Sequence, residues 1–84
     1  MKIKVKFFAL ISEKIGAREI NIEIKDGMTL EILWEELKNS YPVLKNINSS
    51  LLFSINHEYA SLDSLLKEGD EIALIPPVSG GQEI

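Results

Sequence analysis

Two adjacent glycines, Gly80 and Gly81, follow a pair of prolines, Pro76 and Pro77, with only Val78 and Ser79 between. Proline fixes its own φ and stiffens the chain where it leaves a folded body. Glycine has no Cβ, so it enters narrow channels and backbone angles closed to other residues. A stiff exit followed by a slim thread suits the delivery of a chain end into another protein's active site. A frayed terminus gives the same pattern, and on pattern alone the two readings stand level. The rest of the chain offers little catalytic chemistry. His57 is the only histidine and falls at a turn, where a surface residue is the ordinary reading and a ligand or general base the exceptional one. The serines have no histidine and acid gathered around them in the manner of a triad. The acids lie on helix faces and turns, where solvation accounts for them. Neither a P-loop nor a dinucleotide-binding glycine pattern is present.

Composition narrows the classes further. A chain of 84 residues is one domain long and buries roughly 60–65% of the surface its unfolded form exposes. That is enough for one modest core, with little room left for a deep substrate cavity. The apolar fraction is ordinary for a globular protein. The chain contains no cysteine, which removes disulfides, thiolate nucleophiles and sulfur-ligated metals. A small domain without disulfide staples favours the cytoplasm. The N-terminal residues show no signal-peptide pattern, and no segment approaches a membrane span. A net charge of −4 speaks against nucleic acid as a partner. Lys2, Lys4 and Lys6 do form a basic row; a solvated strand face is its ordinary meaning, and docking on an acidic protein the alternative.

The elements that must position the thread are legible from periodicity. From Lys2 to Phe8 the residues alternate, with Ile3, Val5 and Phe7 on one face and the lysines on the other, which is a half-buried strand. Phe8 breaks the pattern by falling on the lysine face. Ala9 to Ile15 fits a short helical turn ended by Gly16. Alternation resumes from Arg18 to Lys25, with Ile20, Ile22 and Ile24 inward, and Asp26-Gly27 closes it. Thr29 is an N-cap for a helix whose apolar stripe is Leu30, Leu33, Trp34 and Leu37, with Glu31 in its first turn. That helix should stop before Tyr41-Pro42. Val43 to Ser50 reads as a loop with room for one helical turn. Leu51 to Ile55 reads as a strand, Asn56 to Tyr59 as a turn, and Ala60 to Leu62 as a return to the sheet. Leu65 and Leu66 are expected to plug the core. Lys67 to Asp70 is a tight turn before the last strand, Glu71 to Ile75, which has Ile72 and Leu74 on one face and Ala73 and Ile75 on the other. The order predicts an α+β fold, a β-grasp (ubiquitin-like) mixed sheet wrapped on one main helix, with the last strand parallel to the first. The domain is expected to span residues 1–76, with residues 77–84 as a tail.

Three stretches carry a resemblance to a known family. They are Lys4-Val5-Lys6-Phe7-Phe8-Ala9, Ile55-Asn56, and the run from Gly69-Asp70-Glu71 through Ile75-Pro76-Pro77-Val78-Ser79-Gly80-Gly81. In these the sequence resembles the small, sulfur-carrying subunit of molybdopterin synthase, over nearly its whole length. The resemblance implies that an E1-like adenylyltransferase uses ATP to activate the terminal glycine carboxylate, which is then converted to a thiocarboxylate. The tail next enters the large subunit of molybdopterin synthase and gives its sulfur to the pterin precursor. Gly81 would carry the sulfur and Gly80 give clearance. No cofactor is expected on this chain itself. The family docks through an apolar patch on the exposed sheet face, and Phe8, Tyr59 and Ile75 match it, with Pro76, Pro77 and Val78 leading into the partner.

The sequence departs from the family at one place. Active members end at the second glycine, whereas here Gly81 is joined to Gln82, followed by Glu83 and Ile84. Gly81 therefore has no free carboxylate, and the expectation is a precursor inactive until a protease removes residues 82–84. Other readings remain: sulfur donation elsewhere, as in thiamine synthesis; a ubiquitin-like modifier joined to lysines through the same glycine; or an interaction module whose tail is idle.

Overall fold

The computed structural model describes residues 1–46 and 51–76. The predicted tail residues Pro77, Val78, Gly80 and Gly81 lie outside the described residues, as do residues 47–50 of the predicted loop. Strand β1 (Lys2–Phe7) leads directly into helix α1 (Ala9–Ile15), and β2 (Glu19–Glu23) returns alongside β1. Helix α2 (Leu30–Ser40) follows, then a single 3₁₀ turn (Pro42–Asn46), β3 (Leu52–Ile55), β4 (Glu58–Tyr59) and β5 (Glu71–Ile75). The five strands form one sheet in the order β2-β1-β5-β3-β4. β1 is antiparallel to β2 and parallel to β5, and β3 is antiparallel to both β4 and β5. This is the mixed β-grasp sheet.

One face of the sheet is dry. Ile3, Val5 and Phe7 of β1 and Ile72 and Leu74 of β5 are buried together with Leu30, Leu33 and Leu37 from α2. The helix stripe repeats at the 3.6-residue period and the strands at two, so both present continuous apolar surfaces to each other. Thr29 caps α2, its hydroxyl accepting from the Ile32 N–H, and Glu31 occupies the first turn. The chain from Ala60 to Leu66 closes the same end: the Ser64 and Leu62 carbonyls accept from the N–H groups of Leu30 and Glu31. These are donors that a helix leaves without partners. Trp34, half-buried, meets Phe53 edge to face at 5.3 Å. Gly16 ends α1 at φ 86°, a left-handed angle natural to glycine.

Three details differ from the sequence expectations. The strand that follows the β3 turn is Glu58–Tyr59, not Ala60 to Leu62. The turn before it needs only two residues, Asn56 and His57, both at positive φ, so pairing resumes at once. Leu66 is buried, but Leu65 is 62% exposed, because it lies in a short bridge opposite Thr29 and neighbouring extended residues face opposite ways. Finally, Leu51 precedes β3, which starts at Leu52. The helical turn for which the loop had room is present as the 3₁₀ turn Pro42–Asn46, which buries Leu44.

Candidate docking face and tail exit

The other face of the sheet has no covering element among the described residues. Two small residues set its shape. Ser54 and Ala73 stand opposite each other across the β3–β5 ladder and form the floor of a shallow depression of about 280 Å³. Its walls are Phe8, Tyr59, Ile75, Lys6, Glu71 and His57. Phe8 reaches the face from the N-cap of α1, immediately after β1, and is 45% exposed. Tyr59 pairs with Ser54 across the hairpin and is 77% exposed. Large apolar side chains around a small-residue floor leave a concavity that a protruding apolar group can fill.

The rim is charged, and its charges are matched in part. Lys6 Nζ lies 3.2 Å from Glu71 Oε2, and His57 Nε2 lies 3.8 Å from the same oxygen. The hydrogen bond from Lys6 holds the Glu71 carboxyl below the ordinary value of 4.5, partly opposed by desolvation. Further along the face Lys4 pairs with Glu19 at 3.7 Å. Two members of the basic row Lys2, Lys4 and Lys6 are therefore paired with acids on neighbouring strands, and its ordinary reading as a solvated face fits.

A polar brace holds the depression in shape. The Asn56 side-chain amide donates to Asp70 Oδ1 at 2.9 Å, and its carbonyl oxygen accepts from the Glu71 N–H at 3.0 Å. The Lys67 N–H donates to Asp70 Oδ2 at 2.8 Å. Asp70 is 8% exposed, and these bonds satisfy a carboxylate that burial would otherwise penalise. The brace ties the β3–β4 turn to the start of β5, and so fixes His57 and Tyr59 relative to Lys6 and Ile75.

The structure brings Phe8, Tyr59 and Ile75 to one depression. Pro76 follows directly, so the chain leaves the sheet at its rim. Two residues of this face had not been singled out for it. Leu52 is Ile75's partner across the ladder and is 46% exposed; alternation from Leu52 to Ile55 puts it with Ser54, which is the signal that finds it. His57 was assigned only to a turn; nothing in the sequence says which way that turn faces. Among the described residues, no group of three or more His, Asp or Glu side chains is placed to hold a metal, and no helix is long and apolar enough to cross a membrane.

A model of the ThiS family matches residues 5–81, from β1 to the second glycine. The chain belongs to the ThiS family. Within that frame it is 39% identical over 83 residues to the molybdopterin synthase sulfur carrier subunit of Chlamydomonas reinhardtii, covering 96% of this chain and 100% of that protein. The crystal structure of SAMP1 from Haloferax volcanii superposes with a TM-score of 0.85 at 28% identity, covering 96% of this chain and 100% of that one. A complex of subunits 1 and 2 of the molybdopterin-converting factor from Helicobacter pylori contains a chain that matches with a TM-score of 0.69 at 28% identity, again over 96% and 100%. The family match ends at Gly81, so Gln82 to Ile84 fall beyond it.

Proposed function

We propose that this chain is a sulfur carrier for molybdopterin synthesis. The observation that carries the reading is the full-length similarity to a molybdopterin synthase sulfur carrier subunit, within a family match that runs to Gly81. The chemistry is divided between proteins. A carboxylate is a poor electrophile, so an adenylating partner joins the Gly81 carboxylate to AMP from ATP, releasing pyrophosphate. A sulfur nucleophile at the sulfide level then attacks the acyl carbon and expels AMP, leaving a thiocarboxylate. This chain supplies the thread and the body that aims it; the partners supply the ATP site and the pterin pocket. Cleavage of the Gly81–Gln82 peptide bond comes first, since only a free terminal carboxylate can be adenylated. The work is cytoplasmic, where ATP is at hand.

Reach supports the depression as the docking face. From Pro76 to Gly81 is five residues of chain, which extend to about 17 Å at most. A large subunit that holds Gly81 in its active site must therefore meet the sheet near Ile75 and Pro76, where Phe8, Leu52 and Tyr59 are exposed. The related complex of two converting-factor subunits is consistent with such a partner.

Intact mass spectrometry of the protein from its own cells tests the reading. The expected species ends at Gly81 with one oxygen replaced by sulfur. Protein that retains Gln82 to Ile84 and never acquires sulfur, in cells making active molybdoenzymes, would refute it. A second reading, a protein modifier, is favoured by the likeness to SAMP1, a small archaeal modifier protein. It predicts higher-mass conjugates linked through Gly81 to lysines, visible on a blot for this chain.

A further inference from the structure

The two-residue turn between β3 and β4 has both central residues in left-handed backbone space, Asn56 at φ 53° and His57 at φ 72°. Turns of this kind favour Asn followed by Gly, because both positions need positive φ. Asn56 suits the first position, and its side chain is committed to Asp70 and the Glu71 N–H. At the second position, where glycine avoids the cost of a Cβ in this region, the chain places His57. The imidazole makes no hydrogen bond among the described residues. It is 84% exposed, and its Nε2 is 3.8 Å from Glu71 Oε2, beyond hydrogen-bonding distance. Yet it lines the same depression as Phe8, Tyr59 and Ile75. Backbone held in a sparsely populated region, without a packing return, is a pointer to function when it sits at a site.

We infer that His57 is a partner-contact residue that sets docking specificity: its imidazole donates to an acceptor oxygen on the large synthase subunit while its ring extends the apolar wall beside Tyr59. The inference rests on the docking reading given above. Lys6 and Glu71 are engaged with each other at 3.2 Å, whereas no hydrogen bond among the described residues holds the imidazole, which leaves its ring N–H free to donate. Pro76 brings the partner to the C-terminal end of β5, and the β3–β4 turn stands beside Glu71 at the other end, about 13 Å away along the strand. Ile75 and His57 line the two ends of the same depression, so a partner that covers the depression from the tail exit across its floor also meets the imidazole.

The test uses the protein ending at Gly81 and the large synthase subunit from the same organism, with docking measured by titration calorimetry. His57→Gly and His57→Asn both tolerate positive φ, so both keep the turn. Each is expected to dock at least about fivefold more weakly than the unaltered carrier, while His57→Gly melts at or above the unaltered protein. Variants that dock within about twofold of the unaltered protein overturn the role of His57 and leave the docking reading standing. A lower melting temperature for both variants overturns it too, since the histidine would then serve the fold. Failure of the unaltered carrier to dock at all refutes the docking reading and this inference together.

Discussion

Replacing Asn56 with alanine should cost the fold about 3 kcal/mol, and the figure can be built from three parts. The first is the hydrogen bond to the Asp70 carboxylate, 2.9 Å long and partly buried; a bond to a charged group is worth about 1.5 kcal/mol at the low end of its range. The second is the bond accepted from the Glu71 N–H at 3.0 Å, which is exposed and so contributes only about 0.5 kcal/mol. The third is backbone: alanine at φ 53° costs about 1 kcal/mol more than asparagine or glycine in the left-handed region. Urea unfolding followed by circular dichroism reads the sum, and Asn56→Gly separates its parts. Glycine loses both hydrogen bonds but escapes the third cost, so it should fall about 1 kcal/mol short of the alanine effect. A loss below about 1 kcal/mol for Asn56→Ala would mean that the brace between the turn and β5 is decoration. Equal losses for alanine and glycine would mean that the turn carries no left-handed demand.

Two further outcomes follow from the exposed face. Phe8→Ser should change stability by less than about 1 kcal/mol, because the ring is 45% exposed, yet weaken docking on the large subunit about tenfold or more; a calorimetric titration showing unchanged affinity removes Phe8 from the interface. Glu71 should titrate below 4.5, since Lys6 hydrogen-bonds its charged form. Its contribution to stability is then complete above the unfolded value and fades as pH falls through the lower folded one. Carboxyl chemical shifts report it, and Lys6→Met should move the midpoint up; an unmoved midpoint would assign the shift to another cause.

Periodicity made much of this fold legible. The alternation of Ile3, Val5 and Phe7 against three lysines, and the stripe Leu30, Leu33, Trp34 and Leu37, each fit one period and one partner surface. Element order then left the parallel pairing of β1 with β5 as the sensible closure. What was not legible depends on register or on very short elements. β4 is two residues long, too short for any period, and its turn uses Asn-His where Asn-Gly would have announced a hairpin. Leu65 and Leu66 look equivalent in sequence, but extended neighbours cannot both face inward. The Asn56–Asp70 bond joins residues 14 positions apart and exists only because β3 and β5 pair in one register. For the site, the break in alternation at Phe8 points to the outer face, and the alternation from Leu52 to Ile55 sorts Leu52 with Ser54, though its place beside the tail exit comes only from its pairing with Ile75.

The placement of β5 has a mechanical meaning. It lies between β1 and β3, and the thread continues from its C-terminal end. Tension applied to the chain beyond Pro76 therefore loads β5 along its own length. The ladders on both sides then resist in shear, all their bonds sharing the force at once instead of parting one by one. The strand that presents the tail is thus held by a ladder on each side against extraction by it.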